Sequence, residues 1–266
     1  IGGNFIPCEN IVEVLNQGID ACVNWNDKVG EDFTYNLGLN ITFTKNKLRK
    51  TNELSNIEDY RKSIGQPTSA IFGWQSQGLF GKDVAIAGHP FQSFGNYQVG
   101  DIAYADLNND GMVDNNDQTR IGQSFPKTTL GVDVTLNYKG FGLYILGTAT
   151  TGVTQMLTST YYWNKGLDGY SVLAEDRYHP VNNPTGTQPR LTTTSGVNNY
   201  RNSTFWTKNG SFFRLKNVEL SYTLNNNSKK GIGKNYKFFV RGANLFVLSG
   251  IKELDPEQML AGISNY

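Results

Sequence analysis

Apolar and polar residues alternate one by one over several long stretches of this chain. From Gly18, "GIDACVNWN" sets Ile19, Ala21, Val23 and Trp25 against Asp20, Cys22, Asn24 and Asn26, the period of a β-strand. After a turn at "DKVGED", "FTYNLGLNITFTKN" sets Phe33, Tyr35, Leu37, Leu39, Ile41 and Phe43 against Thr34, Asn36, Gly38, Asn40, Thr42 and Thr44, and the two predict a hairpin. "TLGVDVTLNY" repeats the pattern with Leu130, Val132, Val134, Leu136 and Tyr138, and Lys139-Gly140 turns it into "FGLYILGTAT". Near the end, "NVELSYTL" alternates Val218, Leu220, Tyr222 and Leu224 with polar residues, and the strand from Tyr236 to Leu248 is more apolar on both faces. The fold class is all-β.

Two architectures share this alternation. A soluble sandwich buries its apolar faces between two sheets, whereas a transmembrane barrel turns them to lipid. Strands of about ten residues or more suit a tilted bilayer crossing better than the ~5–6 typical of soluble proteins. The polar faces are mostly uncharged Asn, Thr, Ser and Gly, which suits a wet lumen. Trp25, Tyr138, Phe141 and Tyr222, near strand ends, fit an interfacial girdle as well as ordinary packing. Short turns such as "YKGF" alternate with long irregular stretches such as Thr151 to Arg201, an asymmetry shared with outer-membrane barrels.

The chain of 266 residues has 24 Lys and Arg against 23 Asp and Glu, so no broad basic field exists to hold nucleic acid. No run of ~18 apolar residues forms a transmembrane helix. The start, "IGGNFIPCEN", has neither an initiator Met nor a signal-peptide pattern and reads as a cut. Cys8 and Cys22 are too few for a disulfide framework, and sequence leaves their pairing open.

One stretch concentrates oxygen-bearing side chains. "DLNNDGMVDNND" places Asp106, Asn108, Asp110, Asp114 and Asp117 at positions 1, 3, 5, 9 and 12 of an EF-hand-like loop, with Gly111 at the sharp turn and Met112 contributing its carbonyl. The expected ion is calcium, with magnesium as the alternative. Asp117 departs from the pattern, since a sensor loop carries a bidentate Glu there. The preceding "VGDIAYA" reads as extended, so a lone structural site is expected rather than a helix-pair switch. A turn rich in Asx residues that binds nothing is the competing account.

Enzymatic chemistry is not visible. His89 and His179 each precede a proline and lie in no zinc pattern, and no GxSxG elbow or P-loop occurs. Glu175 and Asp176 are adjacent and would point opposite ways in a strand. For substrate contact only the aromatics Tyr161, Tyr162 and Trp163 suggest themselves, and the substrate-binding residues are otherwise unknown.

Several landmarks in order resemble a known family. They are "VLNQGIDACVNW", "IGQPTSAIFGWQSQGLF", the block from "GDIAYADLNNDGMVDNNDQ" to "LNYKGF", "NGSFFRLKNVELSYTL", "RGANLFVLSG" and "ELDPE". Together they resemble the C-terminal barrel portion of SusC/RagA-type TonB-dependent outer-membrane transporters of Bacteroidetes, over nearly all of residues 1–266. The resemblance implies a place in the cell outer membrane, in a barrel of ~22 strands around a plug, energised through TonB. It also implies a SusD-like surface lipoprotein as lid and oligosaccharide or peptide as cargo. On that reading 106–117 is a calcium-stapled loop and 151–201 lies in extracellular loops. The plug, TonB box and N-terminal extension are not in this stretch. The alternative is a soluble extracellular calcium-binding β module that attaches to glycans or a partner.

Overall fold

A computed structural model describes residues 10–166, 169–192, 198–225 and 235–257. Six long strands carry the architecture: β1 (Glu13–Val29), β2 (Phe33–Lys50), β3 (Thr128–Tyr138), β4 (Phe141–Thr151), β5 (Phe212–Asn225) and β6 (Asn235–Ser249). They pair in chain order as one antiparallel sheet, each strand beside its sequence neighbour. Strands of 11 to 18 residues exceed what a small sandwich uses.

The pairing aligns like with like. Ala21, Ile41, Leu130, Ala149, Phe213 and Leu248 form one transverse row, and Trp25, Leu37, Val134, Ile145 and Val218 form another. A register slip of one residue would mix these rows with the polar face, so the alternation itself fixes the pairing. Among the described residues no second sheet covers the apolar face: Ile19 is 68% exposed and Val240 77%. A sheet this long, apolar outside and open to nothing but its surroundings, is wall for a lipid bilayer and not half of a sandwich.

At one end the two described connections, β1 to β2 and β3 to β4, are tight. Lys139 and Gly140 both take positive φ, at 46° and 86°, as a hairpin turn that follows the sheet twist requires, and Lys139 pairs with Asp32 of the neighbouring turn at 3.3 Å. The last row before these turns is Val29, Phe33, Tyr138, Phe141, Tyr222 and Phe238, aromatic in all but one strand. Tyr138, Phe141 and Tyr222, expected in a girdle, stand in this row, and Trp25 lies higher, among the aliphatic rows.

At the opposite end β1 and β2 run further than their alternation suggests, from Glu13 and to Lys50. Past Phe43 the outward positions become Lys45, Lys47 and Arg49, so the hydrophobic signal stops while the strand hydrogen bonds continue. Two long inserts lie at this end, residues 51–127 between β2 and β3 and 152–211 between β4 and β5. No helix among the described residues is long and apolar enough to cross a membrane.

Candidate functional site

The inward face of the wall is polar and sparsely charged. Cys22, Asn40, Gly131, Thr148 and Arg214 form one inward row, and Asn24, Gly38, Asp133, Leu146 and Asn217 the next. The Asp133 carboxylate occupies the space beside Gly38 that a Cβ would take. Nearer the tight turns Glu219 accepts from Lys237 at 2.7 Å and pairs with Arg241, and both cations flank the Phe239 ring. Cys22 is exposed and accepts from Asn24 Nδ2 at 3.3 Å; its expected question, a bridge to Cys8, lies outside the described residues.

Above the wall the two inserts form one body. Its core takes Trp74, Leu79, Ile102, Tyr104 and Val113 from the first insert and Leu157, Tyr162, Tyr178 and Trp206 from the second. Short sheets of two to five residues supply its frame. Side-chain amides of the second insert replace backbone partners for the first: Asn199 Oδ1 accepts from Ile102 N at 2.9 Å, and Asn199 Nδ2 donates to Asp101 Oδ1 at 2.8 Å. Asn198 Nδ2 donates to Ile102 O at 2.9 Å, while Gln92 Nε2 donates to Asn198 Oδ1 at 2.6 Å. Arg190 holds Asp101 from the same side at 2.8 Å, and the Arg201 guanidinium stacks 3.5 Å from the Phe94 ring centroid. Buried amides with every arm engaged fix one arrangement of irregular chain, since an unmade bond there is costly.

Burial raises the Tyr104 and Tyr162 phenols above the ordinary range, and Tyr200 is pushed up to about 12, by burial first and then by Tyr170 and Asp101. The aromatics suggested for substrate are committed to this body: Tyr162 is in the core, and Tyr161 and Trp163 pack against it. The sequence showed three exposed-looking aromatics in a loop, and only the long-range fold reveals that they face inward. Both histidines also serve the fold. His89 Nε2 lies 3.0 Å from Gln77 Oε1, and His179 Nδ1 accepts from Val181 N and Asn182 N at 3.2 and 3.0 Å.

The acidic stretch is a closed turn on the flank of this body. Asp106 accepts from Asn109 N at 2.7 Å and Gly111 N at 2.9 Å, Asn108 from Asp110 N at 3.1 Å, and Asp110 from Met112 N at 2.9 Å. Asp114 accepts from Asn116 N at 2.6 Å. Gly111 turns at φ 88°, as the sharp bend requires. Asp117, expected as the twelfth ligand, is fully buried, with Oδ1 accepting from Leu107 N at 2.7 Å and Oδ2 from Asp114 N at 2.8 Å. It clasps the two ends of the loop. Among the described residues no three carboxylate, imidazole or thiol groups gather as a metal centre requires. Asp106, Asn108, Asp110 and Asp114 thus satisfy the loop's own N–H donors in this arrangement, and Met112 joins Phe91 in a short parallel pairing.

A single outward-apolar, inward-polar sheet with tight turns at one end and interlocked inserts at the other is the geometry of a transporter barrel wall. No family model matches the chain. Individual proteins do. TonB-dependent receptor P26 of Formosa agariphila is 26% identical over 263 residues, covering 94% of this chain and 26% of the relative. TonB-dependent receptor SusC of Bacteroides thetaiotaomicron is 25% identical over 270 residues, covering 97% and 26%. The chain is similar to SusC/RagA-type TonB-dependent transporters over nearly its whole length. It spans about a quarter of the length of the curated relatives it matches. The fold agrees: the RagAB peptide transporter superposes with TM-score 0.68 at 18% identity, over 94% of this chain and 27% of that one. The same importer in its closed-closed state gives 0.67 at 19%, over 94% and 27%. The six strands thus have the fold of a portion of a large antiparallel transmembrane barrel, with the inserts at its long-loop end.

Proposed function

We propose that the polypeptide carrying this segment imports oligosaccharides or peptides across the outer membrane, driven through TonB and working with a SusD-like lipoprotein that closes over the inserts. One observation carries the reading: apolar rows face out across the strands in register, and over β1 to β5 polar, mostly uncharged rows face in, beneath a rigid loop body. A polar, weakly charged lumen passes neutral sugars or peptide backbone without binding one ionic group too tightly. The similarity to a solved peptide transporter supports the peptide class, and the oligosaccharide class rests on the resemblance of the sequence landmarks to the SusC/RagA family. The soluble-module alternative would leave the outward apolar face in water, against the rule that soluble monomers keep such patches small.

The test is uptake of fluorescent oligosaccharides and peptides by host cells lacking the gene. Loss of one cargo class, restored by the full-length gene only when TonB and the cognate lipoprotein are present, is expected. Unchanged uptake of both classes refutes the proposal.

Calcium at the acidic loop is a separate proposal, supported by the spacing of Asp106, Asn108, Asp110, Met112 and Asp114. A carboxylate oxygen that accepts one N–H keeps a further lone pair for an ion. Asp117 would act by holding the loop ends together.

A further inference from the structure

A cleft of about 130 Å³ opens on the loop-end rim of the wall, where β3 has ended and β2 continues beside β1 only. Four cations line it: Lys45 and Lys47 from β2, and Arg120 and Lys127 from the chain that leads into β3. Ser69, Phe125 and six further residues, Thr44 and Asn46 of the polar face of β2 among them, line the rest. All four cations are exposed, and among the described residues none has a carboxylate within ion-pair distance. Eight other described cations, Lys62, Arg214 and Arg241 among them, meet an acid, while others such as Lys50 and Lys208 have none within ion-pair distance; what sets the cleft apart is that it gathers four such cations in one place. Arg120 is nevertheless held in place, by neutral acceptors only, with Nη1 to Gln66 Oε1 at 2.9 Å and Nη2 to Gln123 Oε1 at 3.0 Å. A guanidinium oriented without being neutralised is prepared for an anion from outside.

Position says which anion. Lys45 and Lys47 continue the outward face of Leu37, Leu39, Ile41 and Phe43. From Phe33 in the aromatic row to Phe43 the strand climbs ~33 Å, or ~25 Å along the membrane normal at the usual tilt, the height of a barrel's apolar band. The next outward side chains therefore stand at headgroup level, on the lipid side of the wall. Phe125, 62% exposed at the cleft mouth, offers an apolar contact beside the charges. Soluble cargo passes on the other face of the sheet.

We infer that Lys45, Lys47, Arg120 and Lys127 bind the phosphate-bearing headgroup of an outer-leaflet lipid. The inference rests on the membrane orientation proposed above. The experiment uses the full-length polypeptide in detergent, with a phosphorylated glycolipid and its dephosphorylated form as probes in native mass spectrometry. The wild type is expected to retain the phosphorylated lipid, and K45Q/K47Q and R120Q/K127Q to lose about tenfold in affinity, with heat-resistant folding on gels unchanged. Equal retention of both lipid forms, or no change in either double variant, overturns it. Full displacement by millimolar inorganic phosphate would reveal a small-anion site and overturn the lipid assignment. If the protein instead stays in solution without detergent, the membrane reading itself has failed.

Discussion

Arg214 on β5 donates through Nη2 to Asp255 Oδ1 at 2.5 Å, joining the wall to the chain that leaves β6. Glu257 takes Arg214 Nε at 3.1 Å and Lys216 Nζ at 2.6 Å, so "RLKN" and "DPE", two separate landmarks of the sequence, are halves of one clamp. Arg214 is buried and both acids are half-exposed. Arg214→Ala should lower stability by about 1–3 kcal/mol, less than a fully buried pair, because water screens the acids. Melting of the full-length protein in detergent measures this. In the Arg214→Ala background, Asp255→Ala should add almost nothing, and additive losses would show that the pair is not coupled.

Asn199 is the joint between the two inserts. Replacing it by Leu leaves the Ile102 N–H and the Asp101 carboxylate without its amide arms, a cost of about 2–4 kcal/mol. The loss should fall on the body alone. Hydrogen exchange should quicken around Ile102 and Trp206 and stay slow in β3 and β4; uniform acceleration would contradict a separate body.

Alkaline pH should open the same body. A tyrosine in an unfolded chain ionises near pH ~10, while Tyr200 keeps its proton to about 12 in the fold, and Tyr104 and Tyr162 shift the same way. The folded state therefore holds more protons across that interval, so stability is complete below about pH 9 and falls as pH rises through 10 to 12. Tyrosinate absorbance should lag behind that of the denatured protein. Coincident titrations would sink the idea.

For the acidic loop, Asp106→Ala with Asp110→Ala should cut the melting temperature more in calcium than in chelator: the loss in chelator is that of the N–H bonds from Asn109, Gly111 and Met112, and the excess in calcium is the linkage of the bound ion. Asp117→Ala should destabilise under both conditions, because its three accepted N–H bonds belong to the fold itself. Equal losses for the Asp106/Asp110 double variant in calcium and in chelator would leave the loop a purely structural turn.

The wall was legible because its chemistry is periodic. Alternation at Leu37 to Phe43 and Leu130 to Tyr138 names both faces and the register, and Lys139-Gly140 names the turn. Where side chains above the bilayer turn polar at Lys45 and beyond, the backbone continues without a hydrophobic signal, and the reading stopped short of Lys50. The inserts were illegible for another reason. Asn198 and Asn199 reach partners nearly a hundred positions away, and no local pattern encodes such a contact. Two adjacent asparagines among Tyr and Trp, in "VNNYRNSTFW", are the one trace of it. The packing of Tyr161 to Trp163 on the body is hidden from the sequence on the same account, and EF-hand spacing describes ligands without revealing that Asp117 closes the loop.

The interlocking of the inserts also sets what can be exchanged between relatives. A graft of residues 152–211 alone would bring foreign amides to Ile102 and Gln92, and a graft of 51–127 alone would strand Asn198 and Asn199. The smallest transplantable cassette is the pair together with the β3–β4 hairpin that spaces them. Diversification of such a barrel's outer surface should therefore proceed in blocks of that size, with recombination breakpoints falling in β2 and β5.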